Sequence, residues 1–225
     1  MTEQKSKPLE SCLYPQLVLT VDVRRTLNPS LLRTLLQTQS FTCVIIYDSF
    51  IHQGDENFLQ NKAQSYVDDV QHSGAALIIA DNSQIVGRIK ADGLHVEGNK
   101  EALKIFKDQT KENKIVGFGN LRDRHSAMTV AEAGVDYLFF GKLGADQKAQ
   151  AHPRNLSLAT WWAEIMEIPA IIQAGNDYAT VDEAFKTACE FIAVEDMFLS
   201  HEDPLPLLQE IVKKCKNFPL LMGKA

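Results

Sequence analysis

Apolar residues gather in eight β-rich runs: QLVLTVDV (16–23), FTCVIIYDSF (41–50), AALIIADN (75–82), GLHVEG (93–98), KIVGFGN (114–120), VDYLFFG (135–141), PAIIQAG (169–175) and EFIAVEDMF (190–198). Most are nearly continuous rather than alternating, as expected for strands buried on both faces of a parallel sheet. Helical patterns lie between them. NPSLLRTLLQTQ offers Asn28 as N-cap, Pro29 at the first helical position and leucines on one face. DENFLQNKAQSYVDDVQHSG runs to Gly74, a residue suited to ending a helix. SQIVGRIK (83–90) is the shortest; NKEALKIFKDQTKE (99–112), DRHSAMTVAEAG, LSLATWWAEIM and TVDEAFKTA follow the same pattern. DPLPLLQEIVKKC closes the set, with Asp203 as its expected N-cap.

Eight strands alternating with eight helices predict a compact α/β fold, the (β/α)8 TIM barrel. A doubly wound open sheet is the competitor, but no GxGxxG follows the first strand and there is no Walker loop. One barrel domain is expected over 14–225, after a flexible segment at 1–13.

Composition narrows the class. The 225 residues are 45% hydrophobic and 23% charged, with a formal net charge of -6, which weighs against a nucleic-acid binder. No apolar run approaches the ~18 residues of a membrane span. The opening MTEQKSKPLESC has no apolar h-region and is not expected to be a secretory signal. Cys12, Cys43, Cys189 and Cys215 are scattered without a CxxC pair, a pattern that suits a reducing cytoplasm. Cys43 and Cys189 lie in apolar contexts and are expected to be buried thiols.

Barrel chemistry is built at the C-terminal ends of the strands. In order these carry Asp22, Asp48, Asp81, Glu97, Asn120, Lys142, the Gly175-Asn176-Asp177 group and Glu195-Asp196. The ring is mostly acidic, with Arg24, Arg25, Arg122, Arg124, Lys142, Lys148 and Arg154 nearby. Asp22 and Asp177 read as helix N-caps, Asp92 as a turn residue before a strand and His95 as a barrel-interior histidine. Trp161 and Trp162 fall on an outer helix, as packing or contact surface. Asp48, Glu97 and Glu195 are expected to point into the mouth, where carboxylates can hold Mg²⁺ or a cationic ligand. The loop GKLGADQKAQAHPRN is long for its place and reads either as a binding loop or as a solvated excursion.

From about Ala75 to Pro204 the chain resembles thiamine-phosphate synthase, through IIADN, ADGLH, VGFGN, HSAMTVAEAGVDYLFFG, PAIIQAG and FIAVEDMFLSHEDP. The resemblance implies a transferase of thiamine biosynthesis. It joins hydroxymethylpyrimidine diphosphate to thiazole phosphate and releases diphosphate with the help of Mg²⁺. Its partners would be these small molecules and the product thiamine phosphate, with neither nucleic acid nor membrane; a homo-oligomer stays open. Carried over by position, Asp81 becomes the metal ligand, Lys148 and Arg154 the diphosphate contacts, Asn120 a substrate contact and Gly175 the thiazole-phosphate contact; no catalytic residue is assigned.

Several positions depart from the pattern. The family's basic run after strand two reads IIYDSF here, with Asp48 near the basic position. Its Asn-Asp-Arg becomes Ala80-Asp81-Asn82, and Lys100 stands where a second metal-binding Asp is expected. Gly119 and Asn120 replace a Ser, Gly-Gly becomes Ala174-Gly175, and Glu195 with Asp196 replaces a small polar residue. A carboxylate ~4 Å from a phosphate charge costs about 4 kcal/mol at an effective dielectric near 20. Weakened or lost coupling is therefore expected. The alternatives are a non-catalytic barrel that binds thiamine or a related cation, and a transferase with altered substrates.

Overall fold

The computed structural model describes residues 14–50, 55–101, 103–104, 114–145 and 147–220. Its strands are β1 (Gln16–Asp22), β2 (Phe41–Tyr47), β3 (Ala76–Ala80), β4 (Gly93–Glu97), β5 (Ile115–Gly119), β6 (Tyr137–Phe140), β7 (Ala170–Gln173) and β8 (Phe191–Val194). They pair in parallel in chain order, and β8 returns to β1, so the sheet closes as the expected (β/α)8 barrel. The helices are α1 (Pro29–Gln37), α2 (Glu56–His72), α3 (Ser83–Arg88), α4 (Arg124–Glu132), α5 (Pro153–Ile165), α6 (Val181–Phe185), α7 (Asp196–Leu199) and α8 (Leu205–Asn217). Segment 1–13, with Cys12, and most of the helix expected over 99–112 lie outside the described residues.

The continuous apolar runs have a simple cause. Val18, Ile45, Ile78, Tyr137, Phe139, Ile171 and Ala193 fill the barrel interior. Their neighbours, such as Leu17, Leu19, Val44, Ile46, Leu77, Leu138, Ile172 and Ile192, pack outward under the helices. Both faces of each strand are thus dry, and alternation disappears. Asn28 caps α1 by accepting the Ser30 N–H, and Gly74 ends α2 with φ +81°, both as expected. Asp92 also keeps its turn role: its Oδ2 accepts the Leu77 N–H at 2.7 Å and ties the start of β3 to β4.

Three local expectations are corrected. Asp22 caps no helix; its Oδ1 accepts the N–H groups of Arg24 (3.0 Å) and Ser49 (3.2 Å), which joins the ends of β1 and β2. Asp203 does not cap α8, because Pro204 intervenes and Pro206 removes a donor from the first turn. The eighth run is a strand only to Val194: Glu195 leaves the extended region (φ -144°, ψ -92°), and Asp196–Leu199 becomes α7. Cys189 is buried as expected, whereas Cys43 is only half-buried. Among the described residues no helix is long and apolar enough to cross a membrane.

Candidate functional site

On the β1–β8 side of the mouth, Glu195 turns inward. Period-two alternation from Ala193 aims it at the barrel axis rather than at the open mouth expected for it, and it is 6% exposed. Thr20 Oγ1 donates to its Oε2 at 2.9 Å, and Tyr47 Oη donates to Oε1 at 2.9 Å. The Arg25 guanidinium stands 3.9 Å from Oε1 and pairs with Asp196. Burial pushes the Glu195 carboxyl up to about 7, against the pull of the two hydroxyls and Arg25. Burial also pushes Tyr47 above its ordinary range, so its hydroxyl stays a donor.

Beside this group, at the end of β2, Asp48 is spoken for. Arg24 grips both of its oxygens at 2.7 Å, and the Phe50 N–H donates to Oδ1 at 2.8 Å. Burial raises the Asp48 carboxyl, but these donors outweigh it and hold the group below its ordinary value. Beside this pair a cavity of about 140 Å³ is lined by Tyr47, Asp48, Ser49, Ala80, Asp81, Glu97, Lys142 and Leu143. Asp81 adopts φ +55°; its N–H donates to the His95 carbonyl, and its Oδ1 accepts the Glu97 N–H at 2.8 Å. Its first duty is therefore to lock β3 to β4.

Below the cavity lies a polar chain inside the barrel. His95 is fully buried, as expected, with Nδ1 3.0 Å from Tyr137 Oη and Nε2 3.1 Å from Glu97 Oε1. Burial raises Tyr137 well above its ordinary range, so the phenol keeps its proton and donates to Nδ1. The hydrogen-bond network then assigns the remaining ring proton to Nε2, which donates to Glu97. Gly119 makes room for this contact: a Cβ there would lie 2.4 Å from Glu97 Oε1 and 2.6 Å from His95 Nε2. Glu97 Oε2 is buried, and it has no hydrogen-bond partner among the described residues. An unpaired buried acceptor of this kind costs about 1–3 kcal/mol, more when charged.

The end of β7 is covered by the chain itself. The Asn176 N–H donates to the Lys148 carbonyl at 2.9 Å, and the Asp177 N–H donates to the Ala149 carbonyl at 3.0 Å. Thr180 Oγ1 adds a bond to Ala149 O at 2.8 Å. Gly175 permits this strap, since a Cβ there would lie 2.1 Å from Ala149 O. Gly175→Ala is accordingly expected to dislodge residues 147–151 and to cost about 1–3 kcal/mol through overpacking. Hydrogen exchange at the Asn176 and Asp177 amides checks this: faster exchange is expected, and unchanged protection would show the strap to be held by other contacts.

Of the residues singled out from the sequence, Asp81, Glu97, Asn120 and Gly175 fall at strand ends as expected, whereas Lys148 and Arg154 lie beyond β6, and the set does not form one constellation. Asp81 and Glu97 share the cavity, while Lys148 meets the Gly175 region through its backbone and exposes its side chain. Arg154 is exposed in the first turn of α5, beyond the cap at His152. Asn120, half-buried at φ +57°, donates its N–H to the Gly141 carbonyl. Asp177 caps the short 3-10 turn Tyr178–Thr180, in line with its expected role. Thr20, Tyr47 and Tyr137 were not foreseen; their signal was a hydroxyl at an inward-facing position of each of three largely apolar strands.

The model of the thiamine monophosphate synthase family matches residues 19–198, most of the chain. The chain belongs to this family. Thiamine-phosphate synthase from Erythrobacter litoralis is 28% identical over 131 residues, 57% of this chain and 62% of that protein. Its counterpart from Rhodospirillum centenum is 30% identical over 129 residues, 56% of this chain and 61% of that protein. The matches thus span about six tenths of these relatives' own length. A solved thiamine phosphate pyrophosphorylase from Pyrococcus furiosus superposes with a TM-score of 0.72 at 18% identity, covering 89% of this chain and 96% of that one. At that identity the likeness speaks for the barrel fold, as the strand topology does independently.

Mg²⁺, which the family implies, fits this mouth poorly. Among the described residues no group of three His, Cys, Asp or Glu gathers to hold a metal ion. Asp81 has one oxygen engaged by the Glu97 N–H, and Asp48 is closed by Arg24. Asp81 and Glu97 each have one oxygen already engaged, so the two carboxylates make no resident Mg²⁺ site by themselves and would need waters and substrate phosphates to complete the shell.

Proposed function

We propose that this thiamine monophosphate synthase family barrel belongs to thiamine biosynthesis, with the coupling of hydroxymethylpyrimidine diphosphate to thiazole phosphate strongly weakened or lost. The strap on β7 carries this reading. Phosphate groups in such barrels are commonly bound by the loops after strands seven and eight. Here the Asn176 and Asp177 N–H groups already serve the Lys148 and Ala149 carbonyls. A phosphate at Gly175 must displace three hydrogen bonds, at a net ~1 kcal/mol each, or about a hundredfold in affinity. Glu195 and Asp196 stand at the neighbouring strand end and add no attraction for an anion. Charge developing on a departing diphosphate needs fixed cations. Lys148 and Arg154 are the proposed source for any residual coupling, with Asn120 as a further substrate contact.

A second reading, binding of thiamine or a related cation without turnover, is favoured by the carboxylates of Asp81 and Glu97, which line one cavity of the mouth. Calorimetric titration with thiamine and thiamine phosphate, with and without Mg²⁺ and diphosphate, beside a product-formation assay, separates the two. Little or no product is expected. Rapid Mg²⁺-dependent product formation would overturn the proposal, and product from substrates without the thiazole phosphate would point to an altered transferase. Binding of thiamine without turnover would favour the second reading.

A further inference from the structure

We infer that the outer wall formed by α4 and α5 docks a second copy of this chain across a two-fold axis. Among the described residues four large hydrophobics are exposed, Tyr14, Phe50, Met128 and Ile165, and two of them share this wall. Met128 on α4 is 43% exposed, and Ile165 at the end of α5 is 58% exposed. The two helices run in the same direction, because each follows one strand of a parallel barrel and leads to the next. The Arg124 guanidinium, 4.8 Å from the centre of the Trp161 ring, sets their relative level. A helical turn is close to four residues, so Met128 and Ile165 stand one turn further on at a common level. Neither holds its helix to the barrel: Ala127 and Val130 anchor α4, and Leu158 and Trp162 anchor α5.

Charge selects the occupant. On the mouth side of the apolar pair stand Arg122 and Arg124, and on the far side Glu132 and Glu167, all exposed. Asp123 lies among the arginines, but its carboxylate caps α4. A wall that is basic at one end and acidic at the other complements itself, since in a two-fold pair residue i meets j and j meets i. An axis between Met128 and Ile165 seats Met128 on the second copy's Ile165. It brings Glu132, one turn beyond Met128, to the second copy's Arg124 where that side chain lies over Trp161. The symmetry repeats both contacts. A partner with a uniformly charged face would instead meet like charge over half of the wall. Helices of 9 and 13 residues present a face about 20 Å by about 20 Å, on the order of 400 Å². A standard interface buries ~800 Å² per partner, so the pair is reversible and concentration-dependent rather than obligate.

Sedimentation velocity of the full chain, from about 1 μM to about 1 mM, tests this. A monomer–dimer equilibrium is expected within that range. Arg124→Glu sets a carboxylate against the second copy's Glu132, and Glu132→Arg sets a guanidinium against its Arg124. Each should raise the dissociation constant by about tenfold or more. An equimolar mixture of the two variants restores both ionic pairs and should dimerise about as well as the parent. Lys213→Glu, an equal charge change at an exposed position of α8, should leave association unchanged. Unfolding midpoints of the variants separate lost association from lost structure, because Arg124 also covers Trp161. Ile165→Ser keeps the test open should Arg124→Glu fail to fold: it removes exposed apolar surface and should weaken the dimer by about tenfold. A monomer at every concentration, a dimer indifferent to Ile165→Ser or to the charge reversals, or folded variants that stay monomeric when mixed would overturn the inference.

Discussion

Glu195→Gln is expected to stabilise the protein above neutral pH, by up to about 3 kcal/mol near pH 8. The carboxyl ordinarily titrates at 4.5, and burial lifts it to about 7 in the folded barrel. Between those values the folded chain holds a proton that the unfolded chain has released, so stability falls as pH rises through the window. Below it both states are protonated and the folded state bears no penalty; above it the barrel carries a buried anion. Glutamine retains an oxygen to accept from Tyr47 and Thr20 but never ionises. The parent and the variant should therefore converge near pH 4, separate progressively between 4.5 and about 7 and differ most above it, which denaturant unfolding at several pH values measures. A variant less stable than its parent near pH 8 would show that Arg25, 3.9 Å away, outweighs burial and keeps Glu195 ionised.

The largest loss of stability is expected at the outer wall. Trp162→Ala should cost about 3–5 kcal/mol. Trp162 is fully buried, its ring lies 6.1 Å from that of Phe140, and its indole N–H donates to the Ile168 carbonyl at 2.8 Å. Truncation leaves a large void between α5 and β6 and orphans a carbonyl at the entry to β7. Trp161, its sequence neighbour, is half-buried beneath the Arg124 guanidinium, 4.8 Å from the ring centre. Trp161→Ala should therefore lose less than half as much. Urea unfolding of both variants tests the contrast; equal losses would mean that the two indoles share one packing role.

Why the barrel was legible and the site less so follows from the kinds of force involved. Strands buried on both faces leave an unmistakable apolar record, and Asn28 and Gly74 mark helix ends through side-chain chemistry or its absence. Asp81 and Glu97 could be placed at the mouth because strand ends converge there. The strap could not be read, because the Lys148 and Ala149 carbonyls are backbone atoms that every residue possesses. Nor could Asp22 be told from a helix cap, since an Asp accepts N–H groups equally well from a turn and a neighbouring strand end. Glu195 is instructive in another way. Counting by twos from Ala193 would have aimed it inward, but the acidic ring around it suggested the open mouth.

Closure of β8 on β1 also governs how the chain is made. Leu19 pairs with Val194, so one edge of β1 must wait until the eighth strand is made before it finds its partner. At about 5–20 residues per second of synthesis, that wait is on the order of ten seconds to half a minute. Throughout it, the strand from Leu17 to Val21 offers an open row of backbone donors and acceptors flanked by apolar side chains. The barrel is thus most vulnerable to sticking to its neighbours during synthesis at β1, the strand that waits longest for its second partner.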